Sequence, residues 1–290
     1  MKNAIILFIT IMIVLAGLSG CGNSKADIEA IILNAMFHPV LIEERQHLRV
    51  GVLAGPYADM FTEAIKPALI SKGYTVEIIF FTEWDRTNLA LARGEIDLNL
   101  FQHSFFLNNF KFMYNLELSA FAELPTAPMV IYSNRSNSLF NVSYGTSVAL
   151  PGDATNLARA LRILFETDII SLNPQTDIGR VTLDDIVANP RNLSFNLVDG
   201  FAPFHEQISG SEMAIITGAQ AYASGLDLAD ALYREVLRDG YLIVAVVRTE
   251  DLPRRFVYDI LNIIHSDMYK DFFKINDSPF GGFQWPRYFF

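Results

Sequence analysis

The chain has 290 residues, 51% of them hydrophobic and 19% charged, which suits a globular protein of one or two domains with a substantial core. Its formal net charge is −10, and no basic stripe is present to neutralise phosphates, so nucleic acid is excluded as an expected partner. A single cysteine, Cys21, leaves no intrachain disulfide.

The first residues, MKNAIILFITIMIVLAGLSGC, hold one lysine, an apolar run from Ala4 to about Ala16, and then small residues. That is the layout of a secretory signal peptide, and the run is too short to be a confident membrane span. Leu18-Ser19-Gly20-Cys21 resembles the bacterial lipobox, in which the signal is cut before the cysteine and the thiol is lipidated. The alternatives are an ordinary signal with a chance cysteine or a retained anchor helix. The expected layout is a signal peptide over 1–20 and a lipidated tether over 21–47, with a short helix near 28–41. An acyl anchor of the palmitate kind would hold such a chain on a membrane surface.

LRVGVLAG (48–55) is a short apolar run that reads as a buried parallel strand. Residues 56–73 carry apolar positions at helical spacing, with Pro56 in a first turn, Gly73 as a stop and Pro67 predicting a kink. TVEIIFF (75–81) is a second strand, RTNLALARG (86–94) a short helix and IDLNLF (96–101) a third strand. This β-α-β-α-β order calls for a parallel sheet with right-handed crossovers. Open α/β sheets bind ligands beyond the carboxyl ends of their strands. Tyr57, Trp84 and Phe101 therefore converge at one sheet edge with His103, an ionisable ring set among aromatics in LNLFQHSFFL. The bland alternative is a core histidine bonded to backbone.

TAPMVIYSN (126–134) can carry the chain into a second domain. SVALPGDATNLARALRILFE (147–166) repeats the plan of strand, turn and helix, with Thr155 or Asn156 as the helix cap. Arg159, in the first turns of that helix, can point at the strand-end crevice and grip a carboxylate in a bidentate fork. The alternative is a surface arginine paired with Asp153 or another acid. TLDD (182–185) reads as a capping box opening a helix, and LSFNLVD (193–199) and EMAIIT (212–217) as strands. YLIVAVVR (241–248) is a long buried strand that can return to the first domain. Residues 254–273 form one amphipathic helix, and the C-terminal aromatics Phe283, Trp285, Tyr288, Phe289 and Phe290 cover a core edge.

No nucleophile elbow, zinc-helix motif or phosphate loop is present, and the five histidines have no metal-ligand spacing. His205-Glu206 is an adjacent acid/base pair of the kind chance produces. No catalytic residue, metal or cofactor is expected; an exported α/β chain of this type reads as a solute-binding protein.

The blocks LRVGVLAGP, GYTVEIIFFTEW, NLALARGEIDLNLFQH, PMVIYSN, ALPGDATNLARAL and VAVVR resemble, in order, the NlpA/MetQ family of methionine-binding lipoproteins. The resemblance implies a type II periplasmic-binding-protein fold: two α/β lobes joined by a two-strand hinge, with a ligand cleft between them. Lobe 1 would comprise 48–131 and 242–290, and lobe 2 would comprise 132–241. It also implies partners: a small-molecule ligand, and the permease and ATPase of an ABC importer. Carried over residue by residue, Phe101 and His103 match a pocket motif, Trp84 falls where the family has an aromatic, and Arg159 matches a carboxylate-gripping arginine, with Asn156 on the same turn. Two family asparagines after EMAII are replaced by Thr217 and Ala219, and a third in the last crossing strand by Ile243. Thr217 can replace one hydrogen bond. The expected ligand is therefore methionine or a related small molecule that is less polar or differently shaped. A surface lipoprotein that keeps the scaffold for adhesion or signalling, having lost transport, is the other reading.

Overall fold

The computed structural model describes residues 46–198, 210–274 and 279–287. The signal peptide, Cys21, the tether helix, His205-Glu206 and Tyr288 to Phe290 lie outside them.

β1 (His47–Leu53), β2 (Thr75–Phe81) and β3 (Leu98–His103) pair in parallel, with β1 in the middle. Their apolar runs bury a shared face, as expected of a parallel sheet flanked by helices. Between β1 and β2 the helical stretch is not one regular helix. It comprises α1 (Pro56–Met60), a π-helical turn over Phe61–Ile65 and α2 (Lys66–Ser71). The expected kink at Pro67 takes this form because proline has no N–H for the carbonyl four residues back and its ring crowds that carbonyl. Lys66 N–H instead bonds the oxygen of Phe61, five residues back.

α3 (Trp84–Ala92) joins β2 to β3 and starts two residues earlier than the sequence suggests. β3 also runs further, so Phe101, Gln102 and His103 are its last residues rather than a loop beyond it. Two elements not foreseen in the sequence follow: α4 (Ser104–Tyr114) and β4 (Leu118–Leu124).

The second sheet holds β5 (Val130–Ser133), β6 (Ser147–Pro151), β9 (Ser194–Val198), β10 (Met213–Ile216) and β11 (Tyr233–Arg234), in the order β11-β5-β10-β6-β9. α5 (Ala154–Glu166) packs its apolar face on this sheet. β7 (Ser171–Leu172) and β8 (Ile186–Ala188) form a small antiparallel pair, and TLDD opens only a 3₁₀ turn, not a helix. Thr182 N–H and hydroxyl still donate to Asp185, so the local bonds form without a helix to continue them. α6 (Gly218–Ala223) follows β10.

β12 (Ile243–Arg248) returns to the first sheet, antiparallel to β3 and β4, giving the order β2-β1-β3-β12-β4. All six of its residues are buried. The C-terminal amphipathic stretch is two helices rather than one, α7 (Arg255–His265) and α8 (Asp267–Phe273). Ser266 adopts extended backbone between them, and its hydroxyl accepts the Tyr269 N–H as the cap of α8. Phe280 and Phe283 are buried against the core, with Trp285 packed alongside.

The chain thus passes between the sheets twice, through residues 125–129 and 235–242. Gln284 clasps both passages. It exchanges backbone hydrogen bonds with Thr126 at 2.9 and 2.8 Å, and its side chain accepts the Leu237 N–H at 2.8 Å and donates to the carbonyl of Glu235.

Candidate functional site

A cleft of about 540 Å3 opens between the carboxyl ends of strands from both sheets. Tyr57, Trp84, Phe101, His103, Asn156, Arg159 and Thr217 all line it. The first four come from the first sheet and its following helices, and the last three from the second.

One wall is aromatic. Trp84 meets Phe106 edge-on at 5.0 Å and Phe110 at 6.0 Å, and Phe101 meets Phe106 at 6.2 Å. Such T-shaped contacts put ring edges on ring faces and fix the wall's shape. Behind it, buried Asn88, Asn99 and Gln102 satisfy one another's amides, with Asn88 Nδ2 donating to Gln102 Oε1 at 2.7 Å and Gln102 Nε2 donating to Asn88 Oδ1 at 2.6 Å. Tyr57 is buried, its hydroxyl accepting the Ala127 N–H at 3.3 Å, and burial pushes its phenol pKa upward.

His103 caps α4: its Nδ1 accepts the Phe106 N–H at 3.1 Å. The proton of the neutral ring therefore sits on Nε2, which faces Asn156 Oδ1 across the cleft at 3.4 Å. Burial, seconded by the charge of Arg159, lowers its pKa to about 3, so the ring is neutral at physiological pH.

Asp153, not Thr155 or Asn156, caps α5. Its Oδ1 accepts the Asn156 N–H at 3.0 Å. The Asn156 side chain lines the cleft, with its amide nitrogen donating to both Asp153 oxygens. Arg159 is not a surface residue and does not pair with Asp153. It is 3% exposed, and its Nε donates to both oxygens of Glu235 at 3.0 and 2.9 Å. Arg162 pairs with the same carboxylate. Both guanidiniums lie over the Tyr241 ring, at 4.9 and 4.5 Å from its centroid. Thr217 caps α6. Its hydroxyl accepts the Gln220 N–H at 3.3 Å and donates to Gln220 Oε1 at 3.0 Å, so it is already engaged within its own capping box.

Gly55 and Gly218 permit this closeness. Gly55 sits at φ 136°, a backbone open only to glycine, within reach of α6. A Cβ on Gly218 would lie 2.4 Å from the Pro128 carbonyl oxygen. Sequence reasoning missed Glu235, Arg162, Tyr241 and the Asn88-Asn99-Gln102 cluster. Only Gln102, inside the quoted FQH string, carried any signal.

A two-sheet α/β chain crossed twice, with a cleft between its halves lined by aromatics, one histidine and one arginine, has the architecture of a periplasmic substrate-binding protein. The sequence model of the NlpA lipoprotein family matches residues 48–286, and the chain belongs to that family. It is 31% identical over 225 residues to the D-methionine-binding lipoprotein MetQ of Yersinia pestis, covering 76% of this chain and 82% of that one. It is 29% identical over 240 residues to outer membrane lipoprotein 3 of Mannheimia haemolytica, covering 82% and 90%. The solved structure of a nutrient-binding protein from Burkholderia cenocepacia bound to methionine superposes with a TM-score of 0.73, at 28% identity, over 78% of this chain and 95% of that one. The fold is therefore the type II periplasmic-binding fold, two lobes joined by a two-strand hinge. The family is one of solute-binding proteins, not enzymes. Membership of a lipoprotein family implies anchoring by lipid, and among the described residues no helix is long and apolar enough to cross a membrane.

Proposed function

We propose that this chain is the substrate-binding component of an ABC importer, lipidated at Cys21 and facing the periplasm or the exterior. In this reading the lobes close on an amino acid or a close relative, methionine being the reference case, and present it to the permease and its ATPase. The observation that carries the reading is the cleft itself. Seven residues singled out from the sequence, drawn from both sheets, line one cavity of about 540 Å3, a volume suited to a small molecule. In this assignment Trp84 and Phe101 take the apolar body of the ligand, His103 and Asn156 its polar end, and Arg159 a carboxylate. Tyr57 and Thr217 line the cleft from the first and the second half of the molecule.

The test is mass spectrometry of small molecules released from the purified protein by denaturation. A single compound in near-stoichiometric amount is the expected result. No released compound, together with no thermal shift from any amino acid or carboxylic acid, would favour the scaffold without transport.

A further inference from the structure

We infer that the C-terminal end of α4 touches lipid directly: Phe112, Met113 and Tyr114 sink into the interfacial zone of the bilayer on which the lipid anchor holds the chain. This contact presupposes the anchoring at Cys21 proposed above and adds to it a surface of the folded body.

α4 buries Leu107 and Phe110. Its last turn then presents three successive large apolar side chains to solvent, at 87%, 56% and 47% exposure. Asn115 stops the helix there in the left-handed conformation, at φ 51°. The Tyr114 ring stacks on Phe110, 4.4 Å between centroids, so the tip is held by the core beneath it. The charges beside it are balanced: Lys111 lies in the field of Glu117, and Arg93 at the end of α3 pairs with Glu95 at 3.9 Å. In a chain of formal net charge −10, this end therefore carries no local acidic excess to be repelled by anionic headgroups. Contiguous exposed apolar surface marks a protein or a membrane contact. A tyrosine beside phenylalanine and methionine suits the bilayer interface, where one end of the ring is apolar and the other wet.

Topology favours the bilayer. β12 is antiparallel to both β3 and β4, and β3 is parallel to β1, so β1, β3 and β4 all begin at one edge of the first sheet. α4 leads from the end of β3 back to the start of β4, which puts its tip at the edge where β1 begins. The chain from Cys21 enters the fold at that same edge, at His47. The stretch before it, AIILNAMFHPVLI (30–42), holds no acidic or basic residue other than His38. A linker of that composition is drawn to lipid rather than extended through water, and so keeps this edge near the surface. The cleft opens at the opposite ends of β1 and β3, so lipid contact at the α4 tip leaves it accessible.

The experiment uses the full-length lipidated protein in vesicles of phosphatidylethanolamine and phosphatidylglycerol. Lipidation blocks the one native thiol, so Met113→Cys carries a single NBD fluorophore. Phe140→Cys, 89% exposed beside the second sheet, serves as the reference position. Flotation with the vesicles reports the anchor separately. An interfacial apolar face sits about 5–10 Å deep, so lipids with a nitroxide on the acyl chain should quench the label at 113 about twofold or more, and leave the label at 140 unchanged. Phe112→Asp, at a position the core does not use, should restore most of the fluorescence at 113 without altering flotation. Flotation without quenching at 113, or with equal quenching at both positions, would overturn the lipid contact and leave the anchor intact. A label at 113 shielded from aqueous dithionite yet untouched by the lipid nitroxide would mean that residues 30–42 or a second copy covers the tip, which also overturns it. Failure to float would overturn both the anchor and the contact.

Discussion

Between Phe101 and Phe105 the ring of His103 takes a backbone N–H at Nδ1 and is shut away from water, and burial there lowers its pKa to about 3. The folded state then binds fewer protons at this site than the unfolded chain, whose histidines titrate near 6.5. Stability at this site is therefore complete above about pH 6.5 and lost as pH falls from there toward 3. Between pH 7.5 and pH 5 the loss is about 2 kcal/mol, at 1.36 kcal/mol per unit. His103→Asn keeps an acceptor for the Phe106 N–H and removes the titration. Urea unfolding at the two pH values should show the variant losing about 2 kcal/mol less than the parent; an equal loss would place the acid sensitivity elsewhere. Glu235 is the second residue on which the site rests. It is fully shielded, shared by two guanidiniums, and also accepts the Met129 N–H at 3.1 Å. Glu235→Gln leaves buried Arg159 without its counter-charge and Arg162 with Glu166 alone, 3.5 Å away, at a cost of about 3–5 kcal/mol in equilibrium unfolding. This carboxylate was invisible in the sequence for a physical reason. It lies 76 residues from Arg159 and 73 from Arg162, and a buried ion pair leaves no local periodicity.

The elements that sequence reading recovered are those with one dominant local signal. β1, β2, β6, β10 and β12 are short apolar runs bounded by turn residues, and each forms a strand close to its expected place. α4 was not foreseen because its aromatic residues do not confine themselves to one face: Leu107 and Phe110 are buried, while Phe112 is 87% exposed. The single helix expected over 254–273 divides because the apolar period runs on through Ser266, while the serine hydroxyl caps the next turn instead of continuing the last. The cap of α5 was misplaced by two or three residues, since Asp153, Thr155 and Asn156 are all good caps and only geometry chooses among them. Asp153→Ala tests that choice. It removes the acceptor of the Asn156 N–H and frees the Asn156 amide. Helix-cap loss should cost about 0.5–2 kcal/mol in thermal or urea unfolding. An unchanged stability would mean that Thr155 or Asn156 takes over the cap.

At the scale of the molecule, the two-lobe plan was legible because βα alternation occurs twice and a long apolar strand returns near the end. The closure between lobes was not, because its contacts join residues far apart in the chain. Gln284 ties both crossing segments together, so the lobes share one short joint, about which the proposed closure would turn. Further contacts join the two halves beside the joint and the cleft. His103 faces Asn156, and the Tyr222 hydroxyl on α6 donates to Asp59 on α1 at 3.0 Å. The latter pair lies beside Gly55, where α6 comes closest to the end of β1. Under the proposed closing motion such a bond would favour the arrangement described here, and it would enter ligand affinity through the fraction of molecules that adopt it. A single neutral-to-charged hydrogen bond contributes about 1.5–3 kcal/mol when well buried and less when partly solvated, as here. Tyr222→Phe keeps the ring stacked on Phe280, 5.9 Å between centroids, and deletes only the hydroxyl. Ligand affinity should fall by about three- to tenfold, that is, by about 0.7–1.4 kcal/mol. Small-angle scattering of the ligand-saturated protein should still show full compaction, because ligand in excess restores closure. An affinity unchanged by the substitution would mean that the hinge and ligand contacts alone set the closed state.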